Sequence, residues 1–185
     1  MDQQFTHAMV DIETGGTDPA RNPVIQIAAV KFNIHTREVS SDFFDMVLNP
    51  KDQPNRFWDE NTLEWWLKRK DVLIELMKRS QDTKPVLQSF SHWAEWGKLE
   101  LVGKPTHFDW SFLSALYRDY GLQSPFGYRK AVNMRSFIEG RYYPDAAPEW
   151  EKIIEFQGKE HDALSDCLHQ LKVFYKALDR EVPSV

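Results

Sequence analysis

Between Ala8 and Gly16 the chain reads Ala-Met-Val-Asp-Ile-Glu-Thr-Gly-Gly, an apolar run that takes up two carboxylates two residues apart and then breaks at paired glycines. On an extended strand successive side chains alternate, so Asp11 and Glu13 share one face while Val10 and Ile12 pack on the other. Two carboxylates held that close repel unless a cation lies between them. Oxygen ligands of this kind suit hard divalent ions such as Mg²⁺ or Mn²⁺, and the following glycines permit close approach by a ligand. In isolation such a doublet is more often a solvated pair on a surface strand, so its meaning depends on what lies downstream.

The 185 residues suit one compact domain, expected over residues 1–180, with 181–185 as a C-terminal tail. A hydrophobic content of 42% with 28% charged and 14% aromatic residues is that of a globular chain and argues against disorder. No segment approaches a membrane span and the first residues lack the basic and apolar regions of a signal peptide, so a cytoplasmic protein is expected. One cysteine, Cys167, rules out an internal disulfide, and its place in a strongly periodic helix makes it a buried core thiol. Lys and Arg total 23 against 28 Asp and Glu, a net charge of −5 that argues against broad, non-specific duplex binding. A polyanion remains compatible with that balance if the acids are gathered around metal ions and the bases clustered locally. Lys68-Arg69-Lys70, Lys78-Arg79 and Arg129-Lys130 are the clusters available.

After a turn-rich stretch from Gly15 to Pro23, Val24 to Phe32 reads as a strand buried on both faces, and Val39 to Leu48 as a third strand ended by Asn49-Pro50. Three consecutive strands imply an opening antiparallel meander. From Asp59 the spacing turns helical: Thr62 to Arg69 with an Asp or Asn cap, Val72 to Met77, and Pro85 to Trp96. Leu99 to Gly103 is a short strand. The next helix carries Phe112, Leu113, Leu116 and Tyr120 on one stripe, and Asp109 falls on the same stripe. An inward carboxylate in a first turn is costly unless paired or metal-bound, although a helix N-terminus also favours negative charge. Gly121 to Pro148 reads as irregular apart from an edge strand over Ala131 to Met134 and an apolar segment from Phe137 to Tyr143. The final helix has its stripe at Leu164, Cys167, Leu168, Leu171, Phe174, Tyr175 and Leu178, with Asp162 as N-cap. His161 and Asp166 would diverge by about 140° if both were helical, so they share a site only if His161 lies in the preceding loop.

In order, the acids and the histidine are Asp11-x-Glu13, then Phe108-Asp109, then His161 and Asp166 with Ala163-Leu164 between them. This set resembles the DEDDh branch of 3′-to-5′ exonucleases in the RNase H-like superfamily, which includes polymerase proofreading subunits, RNase T and oligoribonuclease. The resemblance implies an α/β, RNase H-like fold with a mixed central sheet, the first three strands antiparallel and helices on both faces. It implies that Asp11, Glu13, Asp109 and Asp166 bind two divalent cations, Mg²⁺ or Mn²⁺, and that His161 is the general base. It further implies a two-metal-ion 3′-to-5′ exonuclease that releases mononucleotides from single-stranded RNA or DNA, and a homodimer. The physics agrees: two metals about 3.5–4 Å apart clamp the attacking and leaving oxygens of a displacement at phosphorus, and a histidine titrates near neutrality. The candidate substrate contacts are Thr14, Gly15, Phe108 and Trp66. Many relatives carry Thr-Thr-Gly-Leu after the first acids, the bulky residue wedging against the terminal bases, where this chain has Thr14-Gly15-Gly16-Thr17. Phe108 and the tryptophans at 58, 65 and 66 are the available substitutes, with at least two of the three tryptophans expected in the core. The stretch Asp59-Glu60-Asn61-Thr62-x-x-Trp65-Trp66 resembles an exoribonuclease-like subgroup. The rival readings are a non-catalytic nucleic-acid-binding or partner-docking module of the same fold, and a small-molecule metallophosphodiesterase.

Overall fold

The computed structural model describes residues 4–95 and 97–179, so Trp96 and the tail 181–185 lie outside the described residues. The meander forms as the apolar runs require: β1 (His7–Thr14), β2 (Val24–Phe32) and β3 (Val39–Val47) are joined antiparallel, and every residue of β2 is buried. Two short strands, β4 (Glu100–Gly103) and β5 (Ala131–Asn133), add in parallel on the other side of β1, giving the order β3-β2-β1-β4-β5. The strand with the acidic doublet is therefore the middle of the sheet.

Alternation along β1 sorts its side chains onto two different cores. Ala8, Val10 and Ile12 pack under α3 (Thr83–Trp93) and α4 (Thr106–Asp119), with Leu87, Phe90, Phe112 and Leu116. Met9 faces the opposite core, made with α5 (Met134–Tyr142) and α7 (Ala163–Leu178) through Cys167, Leu171 and Phe174. Asp11 and Glu13 continue Met9's face, so they emerge where α7 crosses the sheet. Cys167 is fully buried there, as its stripe requires. A third cluster of Ile25, Val47, Trp66 and Leu76 seats α1 (Glu60–Leu67) and α2 (Lys70–Lys78).

Asp59 caps α1 by accepting from the Thr62 amide at 2.9 Å, and its own amide donates to Gly15 O at 2.8 Å. Trp66 Nε1 donates to Thr14 O at 3.0 Å. The Asp59-to-Trp66 stretch thus fastens the loop that leaves β1. Two sequence expectations shift. Met134 opens α5 instead of ending β5, because Asn133 caps the helix by accepting from Ser136 N at 3.2 Å. A one-turn helix, α6 (Trp150–Ile153), lies just beyond the stretch read as irregular and is too short to show a period.

Candidate active site

Asp11 and Glu13 lie near the carboxyl end of β1, opposite Ala28 and Gln26 of β2, and a bulge follows Glu13. Gln26 is fully buried and spans from the sheet to the start of α7. Its amide nitrogen donates to Asp162 Oδ1 at 3.0 Å and Asp45 Oδ1 at 2.7 Å, and its oxygen accepts from Ala163 N at 3.1 Å. Arg79 closes the same knot, at 2.7 Å from Asp45 and 3.3 Å from Asp162. Asp162 caps α7 as the sequence implies, accepting from the Ser165 amide at 3.3 Å. His161 precedes the helix with φ 62°, a left-handed backbone. That break removes the angular conflict with Asp166, and Glu13, His161 and Asp166 each offer a ligand atom within 4.8 Å of the others.

Asp109 arrives from the first turn of α4, 4% exposed. β4 pairs with β1 only as far as Met9, and Asp109 lines the cleft with Ile12 beyond that point. Gly103, at the end of β4, makes room for it: a Cβ there would lie 2.8 Å from Asp109 Oδ2 and 3.3 Å from Val10 O. Gln170, one turn beyond Asp166 on α7, donates to Asp11 Oδ1 at 2.8 Å. Lys104, in the turn between β4 and α4, lines the same cleft.

The clustering shows in the titration of the acids. Burial, reinforced by Asp166, pushes Asp11 up to about 7. Burial, reinforced by Asp162, pushes Asp166 up to about 6. Burial and the Asp11 charge hold Glu13 and Asp109 well above the usual carboxylate range. His161 is moved the other way, by burial first and then by Arg69. Four carboxylates pushed toward protonation by burial and by one another are a donor set suited to hard divalent cations.

The four acids, His161, Gln170 and Lys104 line a cleft of about 390 Å³. A second cleft of about 370 Å³ shares Ile12, Glu13 and Phe108 with it and is walled by Thr14, Gly16, Thr17, Asn61 and Trp65. The Trp65 ring meets His161 edge-on, with centroids 4.6 Å apart, and the Arg69 guanidinium sits 3.9 Å over Trp65.

All five residues of the acid and histidine set therefore converge, and Thr14 and Phe108 line the adjoining cleft as expected. Gly15 does not: its amide is taken by Pro23 O at 2.8 Å, and it packs against Pro23 and Trp58, leaving Gly16 and Thr17 at the cleft. Trp66 reaches that cleft only at its base and is 1% exposed, committed to Thr14 O and the core, so its neighbour Trp65 is the ring beside His161. Gln170, Lys104 and Gln26 went unread as site residues. Only the four-residue spacing from Asp166 to Gln170 hinted at one of them.

Over residues 6–178 the sequence matches the family described as the 3′-5′ exoribonuclease Rv2179c-like domain. The chain belongs to that family. This Rv2179c-like domain matches no curated protein sequence. Among solved structures it is similar to cell-death related nuclease 4, with 20% identity and a TM-score of 0.68 over 95% of this chain and 64% of that one. It is similar to the nuclease domain of 3′hExo, a DEDDh family member bound to rAMP, with 20% identity and a TM-score of 0.70 over 98% and 96% of the two chains. The zinc-bound E. coli exonuclease I–single-stranded DNA complex gives 18% identity and a TM-score of 0.71 over 96% of this chain but 41% of that one. The Rv2179c-like domain thus spans nearly all of the 3′hExo nuclease domain and less than two thirds of the other two. It has the RNase H-like exonuclease fold, and as a member of a 3′-5′ exonuclease family it is a nuclease, a phosphodiester hydrolase.

Proposed function

We propose that the Rv2179c-like domain removes mononucleotides from the free 3′ end of single-stranded nucleic acid, RNA before DNA, using two divalent cations, Mg²⁺ or Mn²⁺. The observation that carries this reading is the convergence of Asp11, Glu13, Asp109, Asp166 and His161 on one cleft, beside a second cleft with aromatic walls. The exoribonuclease description of the family supports RNA as the first substrate.

The four carboxylates would hold the cations, which when bound offset the crowded negative charge and stabilise charge developing on the attacking and leaving oxygens. His161 takes a proton from the attacking water. The water oxygen bonds to phosphorus, the bond from phosphorus to the O3′ of the preceding nucleotide breaks, and the terminal nucleotide leaves with its 5′ phosphate. Trp65 and Phe108 flank the space next to Glu13, which supports a terminal base there. All five residues come from one chain, so the reading needs no second copy, and it treats residues 1–180 as one cytoplasmic domain.

The test is digestion of end-labelled single-stranded RNA and DNA of one sequence, side by side, with Mn²⁺ and with EDTA. Stepwise shortening from the 3′ end that stops in EDTA is expected. Hydrolysis that persists in chelator, or equal cleavage of a circular strand, overturns the reading. Turnover of a chromogenic phosphodiester with none of an oligonucleotide would favour a small-molecule enzyme.

A further inference from the structure

A third cavity of about 360 Å³ adjoins the acid-lined cleft, and Lys104 lines both. The aromatic cleft shares residues with the acid cleft and none with this third cavity. The acid-lined cleft therefore adjoins both: the cleft with Thr17 and Trp65 through Ile12, Glu13 and Phe108, and the cavity with Arg135 and Trp150 through Lys104. Lys104 is 19% exposed in its side chain and pairs with Glu151 of α6. Arg135 is exposed, makes no ion pair among the described residues, and lies near enough to Lys104 to add to the effect of burial in lowering its affinity for a proton. Lys152 is already satisfied by Glu149 at 2.7 Å. Trp150 is half-buried, and its indole nitrogen has no acceptor.

Two cations crowded at the mouth of an anionic centre mirror the crowded acids. The acids lack a cation and Arg135 lacks an acid partner among the described residues, while Lys104 is held by Glu151 in a cavity that Glu139 and Glu149 also line; a metal-bridged polyanion would bring both missing charges. We propose that this third cavity receives the substrate strand on the 5′ side of the scissile bond, Lys104 and Arg135 holding the first or second phosphodiester upstream and Glu151 occupying Lys104 until that phosphate displaces it. The proposal rests on the exonuclease reading, which sends the 3′-terminal nucleotide toward Trp65, so that the rest of the strand leaves the metal site away from the aromatic cleft, where the third cavity adjoins it at Lys104. A single-stranded ligand needs such a path, since its affinity comes largely from phosphate contacts.

The test pairs a neutral linkage in the substrate with a neutral side chain in the protein. Oligonucleotides carry one methylphosphonate at the first or second upstream linkage, and KM and kcat are measured in Mn²⁺ for the wild type, Arg135→Ala and Glu151→Gln, whose altered side chains are exposed. In the wild type, neutralising the contacted linkage should raise KM about two- to tenfold, the size of one ordinary hydrogen-bonded contact at an exposed side chain. Arg135→Ala should raise KM for the natural strand by a similar factor and flatten its salt dependence, and the two changes together should cost little more than either alone. Glu151→Gln should lower KM by freeing Lys104. Losses that multiply at both linkages, or a Glu151→Gln variant whose KM is unchanged or raised, overturn the proposal. If the wild type releases nothing from the natural strand, the exonuclease reading falls and takes this one with it; release with multiplied losses removes only the upstream subsite.

Discussion

His161 combines a left-handed backbone, an edge contact with Trp65 and a place within ligand distance of Glu13 and Asp166. A side chain bearing a Cβ occupies that backbone only where its surroundings hold it, and the Gln26–Asp162 knot does so from the next residue. If the imidazole is the base, His161→Ala should lower turnover ~10²–10⁴-fold while Mn²⁺ binding, followed by calorimetry, survives. The wild-type rate should rise with pH as the imidazole loses its proton. Because burial and Arg69 favour the neutral form, that limb should fall below the usual histidine range, and it should vanish in the variant. Loss of Mn²⁺ binding instead would make His161 a ligand. For the acids, Asp166→Ala should abolish activity and raise the melting temperature in EDTA, since it removes one of four mutually repelling charges; retained activity with unchanged Mn²⁺ stabilisation would contradict a metal role. The five were picked out by their combined order along the chain, which resembles the DEDDh pattern, since each of them alone has a commoner ordinary reading. Gln170 and Lys104 were not, since an amide on a helix and a lysine in a turn have many solvated uses and acquire meaning only from what they face.

Among the elements, the decisive joint is between β2 and the start of α7, made by one buried glutamine. Gln26→Leu keeps the volume but strands the donors and acceptors of Asp45, Asp162 and Ala163, which should cost about 1–3 kcal/mol of stability. Because the same joint sets His161 and Asp166, kcat should fall more steeply than the melting temperature implies. A destabilised variant with full kcat would show that the helix start holds its place without Gln26. The sequence made β1, β2, β3 and α7 readable through continuous apolar runs, a period of 3.6 and an Asp cap. It gave Gln26 no distinguishing mark, because a polar residue inside a strand buried on both faces reads as an exception until its partners, two of them more than 130 residues away, are known. β5 and α6, at three and four residues, are too short for periodicity to define.

For the whole molecule, the raised acids make stability a function of pH in the absence of metal. Asp11 at about 7 and Asp166 at about 6 bind protons in the folded chain that the unfolded chain has released, so stability in EDTA should fall as pH rises from about 4 through 7. Saturating Mn²⁺ competes with those protons and should flatten or reverse the slope in thermal melts. A melting temperature in EDTA that climbs across that interval would show that the acids are solvated and independent. The order of the strands carries one more consequence, for the chain during its synthesis. β1 stands at the centre of the sheet yet is made before the other four strands, while α7, which covers its acidic face, is made after all five. A growing chain that has not reached His161 holds Asp11, Glu13 and Asp109 but has neither His161 nor Asp166. On the proposed function, such a partial chain would be inactive, and hydrolysis would begin only once β1 and α7 have met.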